Sequence, residues 1–500
     1  MKRGWLRNVG SGYADTLVGG IVFLVLTPLL VHRLGTAAYA LWVLGHTITF
    51  YLAFLDVGLG NAQVRFHARF AAQEKAKDLR TIIATSCVSL LIAGVVAALI
   101  GCGIAFGVPA HWLDISPTLV ADFRLVVVLL AVEMLVSFAG AAVENIYEGA
   151  NRFDLRNLCS IGMRVITALA EATALFNGAG LVEVVAIELA AGCVRLLIDL
   201  VVTARVLPGW WLGAAQFHGR TWRRLRSFAL WTSADETLTE GGAQLDHVLI
   251  VVMFPLTLLT PYSLCTGVAG LLHMAVEPIV ETFFPIASGM HARRRDSDLS
   301  QLLLVGSKAA TAIAAPLAVI LCFFGHRILE LWVPEAAPDV PAGLMPLVVL
   351  DYMTSMYLWT ATVILVAIGR TRLAVMLTVA ELAVGIVLML ILAPRFGLPG
   401  LALASLIANV AVGLCFQMPV AARAVGVPVA ALVGSTIGRL AMAAVPAVVA
   451  AVVLRPVVEE AGWALLTGAS LAVVAVYGVC LLLFGTRREE RALYLSYLKR

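Results

Sequence analysis

The stretch SFALWTSADETLTEGGAQLDHVLI, residues 227–250, decides how the rest of the chain is read. It is long enough to cross a hydrocarbon core, which takes ~20 residues. Yet it carries Asp235, Glu236, Glu240, Gln244 and Asp246. A carboxylate at the bilayer centre costs about 2.5–3.5 kcal/mol on insertion scales. At this density one face of the helix is expected to look into protein or a water-filled cavity. The pattern has an echo: Ser233-Ala234-Asp235-Glu236-Thr237-Leu238 followed by Gly241-Gly242 resembles Tyr13-Ala14-Asp15-Thr16-Leu17 followed by Gly19-Gly20. His67-Ala68-Arg69 and His291-Ala292-Arg293 repeat at nearly the same offset. Two matches at one spacing point to an internal duplication, two similar halves with a polar seam between them.

Composition agrees. Hydrophobic residues make up 61% of the chain and charged ones 13%, whereas a soluble globule averages about 25% charged. Apolar runs of spanning length recur from end to end, at 9–30, 39–59, 82–106, 125–147, 161–176, 181–203, 228–250, 263–286, 302–324, 345–368, 374–392, 401–420, 430–454 and 464–484. The fold class is therefore an all-α polytopic membrane protein of about fourteen spans. Met1–Arg7 is basic, but the apolar run after it reaches His32-Arg33 without a small-x-small cleavage site, so the first helix is expected to stay. The eight cysteines are scattered through apolar runs with no Cys-x-x-Cys pair, which suits small core residues rather than a metal or redox site.

Basic residues set the topology. Most of the 35 Lys and Arg lie in one alternate set of loops and in both tails, including Arg65–Arg80, Arg220–Arg226, Arg293–Arg295 and Arg487–Arg491. The opposite loops hold only Arg33, Arg124, Arg327, Arg395 and Arg455. By the positive-inside rule both termini are cytoplasmic. The first and seventh spans then start on the same side, so the duplication is parallel, with a pseudo-two-fold axis along the membrane normal. The expected organisation is an N-terminal six-helix bundle over 1–205, a cytoplasmic interfacial linker over 206–226, a C-terminal six-helix bundle over 227–425, two peripheral helices over 426–485 and a basic cytoplasmic tail over 486–500. Trp210, Trp211 and Trp222 beside arginines suit the headgroup region.

Ionisable residues inside spans are the candidates for function. His273, Glu277 and Glu281 follow one helical face of the eighth span at i, i+4 and i+8, and Glu236 and Glu240 pair on the seventh. In the first half Asp15 is the counterpart of Asp235, and His46 lies mid-span. Such groups can exchange a coupling proton; pairing at membrane ends is the competing reading. Arg195 with Asp199, and Arg164 with Glu171, are expected to neutralise one another within their own helices. Arg65 and Arg69, at i, i+4, with Arg293 in the matching place, could ring the cytoplasmic mouth and grip phosphate oxygens, or serve topology alone. No Gly-x-x-x-x-Gly-Lys-Ser/Thr loop and no His-Glu-x-x-His occurs, so neither internal ATP hydrolysis nor a zinc-dependent catalyst is expected. No cofactor, metal or nucleic acid is implied.

The motifs Arg33-Leu34-Gly35 with Tyr39, Leu41 and Trp42, then Leu55-Asp56-Val57-Gly58-Leu59-Gly60-Asn61 with Arg65, come in order along the chain. Leu245-Asp246-His247-Val248-Leu249-Ile250, Tyr262-Ser263-Leu264, Phe284-Pro285-Ile286 and Phe396-Gly397-Leu398-Pro399-Gly400 continue the series. Together they make residues 1 to about 425 resemble the polysaccharide (oligosaccharide-lipid) flippase family, in the superfamily that also holds multidrug and toxin extruders and the lipid II flippase. The resemblance implies two six-helix bundles around a cavity lined by the first, second, seventh and eighth spans, with Asp56 and Asp246 added to the cavity set. It implies a monomer that moves an undecaprenyl-diphosphate-linked oligosaccharide to the outer leaflet of a bacterial inner membrane by alternating access, coupled to H⁺ or Na⁺. Relatives use cationic cavity residues, whereas this seam reads as acidic, which keeps a cation-coupled multidrug exporter of the same fold open as the alternative. A membrane enzyme of glycan assembly lacks any catalytic constellation here.

Overall fold

A helix of 20 apolar residues spans about 30 Å, and most helices of this chain are longer. The computed structural model describes residues 2–485 apart from 57, 110–114, 208–217, 220, 224, 226–237, 239–240, 243, 281, 294–295, 433 and 435–437. Among the described residues there is no strand. Among the described residues, twelve helical segments are long and apolar enough to cross a membrane, and the chain is a multi-pass membrane protein. Of the two further expected spans, one is Leu181–Val206, which is 26 residues long but interrupted by Glu188, Arg195 and Asp199. The other, 228–250, lies largely outside the described residues.

The chain separates into two compact units, residues 1–260 and 261–500. In the first, the long helices are α1 (Lys2–Leu34), α2 (Thr36–Ala53), α3 (Leu59–Ala72), α4 (Ala76–Gly107), α5 (Val120–Gly149), α6 (Phe153–Phe176) and α7 (Leu181–Val206), followed by α8 (Leu245–Met253). Helix α5 packs against α4 and α7, and α1 against α6. The core joins Phe66 and Phe70 of α3 to Ile83, Cys87 and Leu90 of α4 and to Phe138 and Ile146 of α5. Leu225 is buried in it and Trp222 rests on it, so part of the tryptophan-bearing connection docks on this unit. Residues 245–260 group with it too, although they were expected to open the second bundle. The Thr260 hydroxyl donates to the Thr36 carbonyl at 2.7 Å, and Tyr51 Oη donates to the Gly241 carbonyl at 2.8 Å.

The second unit takes over within α9 (Leu259–Val280) and continues with α10 (Phe283–Ala292), α11 (Asp296–Trp332), α12 (Leu344–Ala367) and α13 (Thr371–Phe396). Next come α14 (Leu398–Ala408), a π-helical segment Asn409–Gln417, α15 (Met418–Ala424), the short α16 (Val429–Leu432), α17 (Arg439–Glu459) and α18 (Trp463–Cys480). Ala443, Ala447 and Ala451 recur every four residues on α17 and pack with Val319 and Phe324 of α11. Small residues at that spacing let two membrane helices approach closely.

The internal repeat is visible in helix starts. Helix α3 begins at Leu59 and α10 at Phe283, a separation of 224 residues; α5 begins at Val120 and α12 at Leu344, the same separation. Both units therefore carry a helix, a break and a short helix in one register. In the first unit the break is a 3₁₀ turn, Phe54–Asp56, then Gly58 at φ 70°, ψ 21°, a left-handed conformation that glycine adopts without a Cβ penalty. Asp56 Oδ1 accepts from the Gly60 N–H at 3.1 Å, covering one of the orphan donors at the start of α3.

Candidate functional site

The site starts from α2, whose sequence TAAYALWVLGHTITFYLA puts Trp42 and His46 one turn apart on a single face. Their rings meet edge to face with centroids 4.3 Å apart. Both reach Glu188 of α7: Trp42 Nε1 donates to Oε1 at 3.0 Å, and His46 Nε2 lies 3.3 Å from Oε2. Each carboxylate oxygen thus has its own partner on α2. Glu133 of α5 and Glu171 of α6 act on His46 electrostatically as well, and Glu171 is 4% exposed. Three carboxylates facing one imidazole make a site whose net charge is set by the protons it carries.

Beside this cluster lies a cavity of about 450 Å³, whose lining includes Trp42, His46, Phe50, Glu133, Gln244 and His247. His247 Nδ1 is 3.4 Å from Thr47 Oγ1. The cavity therefore has an aromatic wall, a carboxylate and two imidazoles, all within the first unit. Such a site can bind a cation or exchange protons with a water-filled space.

A second network runs through the same unit. Arg195 Nε lies 2.9 Å from Asp199 Oδ2 and its Nη2 3.0 Å from Glu144. Tyr147 Oη donates to Asp199 at 2.9 Å. Arg156 joins Glu144 at 2.7 Å and Glu148 at 2.8 Å. The expected Arg195–Asp199 pair is present, extended by two further helices. The expected Arg164–Glu171 pairing is not: Arg164 reaches Asp15 on α1 at 3.5 Å, while Glu171 faces the His46 cluster. Seven residues along a helix is too far for two side chains to meet as easily as with a neighbouring helix.

The remaining candidates separate. Asp15 also accepts from Ser160 Oγ at 3.0 Å, so it ties α1 to α6. Asp56 caps α3, and Asp246 sits on α8 in electrostatic reach of Tyr51. In the second unit His273 Nδ1 lies 4.0 Å from Glu277 one turn on and stacks on Trp359 at 4.4 Å. Arg65 and Arg69 share the exposed face of α3, and Arg293 is exposed just after α10. Asp235, Glu236, Glu240 and Glu281 lie outside the described residues. Unexpected from sequence are Glu133, Glu188 and the place of Glu171 beside His46, and in the second unit Asp351 with Asn409. Asn409 Nδ2 donates to Asp351 Oδ1 at 3.1 Å and to Ser355 Oγ at 2.6 Å. Asn409 opens the π-helical segment, a feature frequent at functional positions. A glutamate in the middle of an apolar run was the signal available for the first three.

A family model described as polysaccharide biosynthesis protein matches residues 5–291. No curated protein sequence matches the chain. Among solved structures, the lipid II flippase MurJ in an inward closed conformation superposes with a TM-score of 0.70 at 13% identity, over 95% of this chain and 97% of that one. An inward-facing multidrug resistance MATE family transporter of the MOP superfamily gives 0.65 at 14% identity, over 82% and 94%. Its outward-facing counterpart gives 0.60 at 13%, over 85% and 96%. At these identities the likeness is one of fold. The family match covers more than half of the chain, which therefore belongs to the polysaccharide biosynthesis protein family and has the fold of the flippases and transporters of the MOP superfamily.

Proposed function

We propose that the protein is a flippase for a prenyl-diphosphate-linked oligosaccharide, moving it from the cytoplasmic to the opposite leaflet of a bacterial inner membrane by alternating access. The observation that carries this reading is the family match over residues 5–291, because the fold alone is shared with drug exporters. The physical problem is the sugar head, whose hydroxyls lose water in hydrocarbon at several kcal/mol per unsatisfied group. A hydrated path removes that cost while the prenyl tail stays in lipid. Coupling is assigned to protons exchanged at His46, Glu133, Glu171 and Glu188, whose charge changes with each proton bound. A strain lacking the gene should accumulate lipid-linked repeat units and lose surface glycan, with rescue by the wild type and not by Glu188→Ala. Unchanged surface glycan in the deletion strain refutes the reading.

A second reading is favoured by one feature, the wall of Trp42, Phe50 and Glu133 in the cavity, since aromatic faces and a carboxylate suit an organic cation. It makes the protein a cation-coupled multidrug exporter. Sensitisation of the deletion strain to cationic drugs with intact glycan supports it, and indifference to a drug panel rejects it.

A further inference from the structure

A second cavity, of about 500 Å³, takes no part in the function proposed above; it is lined by Ala150, Arg152, Leu155, Val202, Arg205 and Val206. Local backbone builds it. Asn151, at φ 60°, reverses the chain between α5 and α6 and leaves Arg152 as the residue capping α6. Helix α7 ends at Val206, so its last turn supplies the other wall and Arg205, which is exposed.

Polar and apolar groups are segregated along this cleft. Val194, Leu197, Val201 and Arg205 follow at spacings of three, four and four residues, which is one helical face. Leu197 is 62% exposed, Val201 52%, and Leu158 on the adjoining α6 65%. In a chain that crosses a membrane, such a face meets acyl chains, and here it ends at a guanidinium.

We propose that the cleft binds an anionic phospholipid, with its phosphate on Arg205 and Arg152 and its acyl chains along the exposed face of α6 and α7. Guanidinium forks match phosphate oxygens, and basic pockets between membrane helices on the positively flanked side bind anionic headgroups. The charge count narrows the ligand. Arg152 shares its charge with Asp154, at 3.1 Å, so the two arginines and one carboxylate leave a net charge of about +1 at pH 7. That complements a phosphodiester monoanion such as phosphatidylglycerol better than a diphosphate.

The test is native mass spectrometry of the purified full-length protein titrated with phosphatidylglycerol or phosphatidylcholine, with soluble glycerol phosphate as competitor. The wild type should hold one phosphatidylglycerol in preference to phosphatidylcholine, a comparison that needs no variant. Arg205→Ala should weaken that binding about fivefold, the effect of one arginine near an anionic headgroup, Arg205→Glu should weaken it further, and Arg205→Lys should keep it. Equal binding of the two lipids by the wild type, or an unchanged affinity in Arg205→Ala, overturns the proposal. Displacement of the lipid by glycerol phosphate at equal concentration overturns the lipid assignment in favour of the phosphate alone.

Discussion

The two broken helices of this protein share a register and differ in what they hold. In the first unit, α2 carries His46 and Trp42 on one face, and the glutamate that engages both comes from α7. In the second, α9 carries His273 and Glu277 on one face, and the tryptophan comes from α12. The residue types are the same, but the remote partner is exchanged. Glu188 ties two helices through charge and a hydrogen bond, whereas the His273–Glu277 pair lies within one helix. The first pair is closer, 3.3 Å against 4.0 Å, and Glu188 is 13% exposed where Glu277 is 34%. Charge in the first unit is therefore the better placed to respond to a proton with a change in packing.

The short helices after the breaks differ in the same sense. His67 of α3 is 2% exposed, against α5 where a Cβ on Gly149 would fall 2.5 Å from its Cγ. Its counterpart His291 on α10 is exposed. Burial pushes the His67 imidazole down to about 4, so the folded chain holds it neutral while an unfolded one would protonate near 6.5. The unfolded state then binds more protons between those values. The largest expected effect follows: about 3 kcal/mol of first-unit stability lost as pH falls from 6.5 toward 4. Thermal unfolding of the purified protein across that range checks it. His67→Phe should flatten the profile, and a profile unchanged in that variant would contradict the role given to its burial.

A second contrast sharpens the histidine pairs. Glu188→Ala leaves the Trp42 N–H without its acceptor and should cost about 1–3 kcal/mol. Glu277→Ala, a half-exposed i,i+4 pair, should cost about 0.3–0.5 kcal/mol. Melting temperatures of the two variants in one detergent measure the ratio, and comparable losses would deny the first unit its tighter pairing.

The smallest effect concerns the breaks. Gly58→Ala puts a Cβ on a left-handed residue, at about 1 kcal/mol. Thr282, at the matching break, has φ −69°, so Thr282→Ala should change stability by a few tenths of a kcal/mol. Refolding-free thermal scans of both variants should show a difference; equal effects would contradict the reading of Asp56 and Gly58 as a structural break.

The all-helical class, the spans and the repeat were legible because each depends on local quantities: run length, composition and spacing. Asp56 and Gly58 were legible only as motif residues: the expected span 39–59 ran straight through them, and the break with its Asp56–Gly60 hydrogen bond came from the structure. The cluster around His46 was only half legible. Glu188 stands 146 residues from Trp42, and no periodicity within a helix reveals a partner on another. The same limit explains Arg164, paired on paper with Glu171 of its own helix and in the fold with Asp15 of α1.

The most direct test of the central claim is a flipping assay on proteoliposomes containing the purified protein, with a fluorescent prenyl-diphosphate oligosaccharide in one leaflet and a quencher that cannot cross. The wild type should expose the lipid to quencher faster than empty liposomes, faster again under a pH gradient, with the gradient response lost in Glu188→Ala. A rate equal to that of empty liposomes, with a gradient that drives efflux of an organic cation instead, would contradict it.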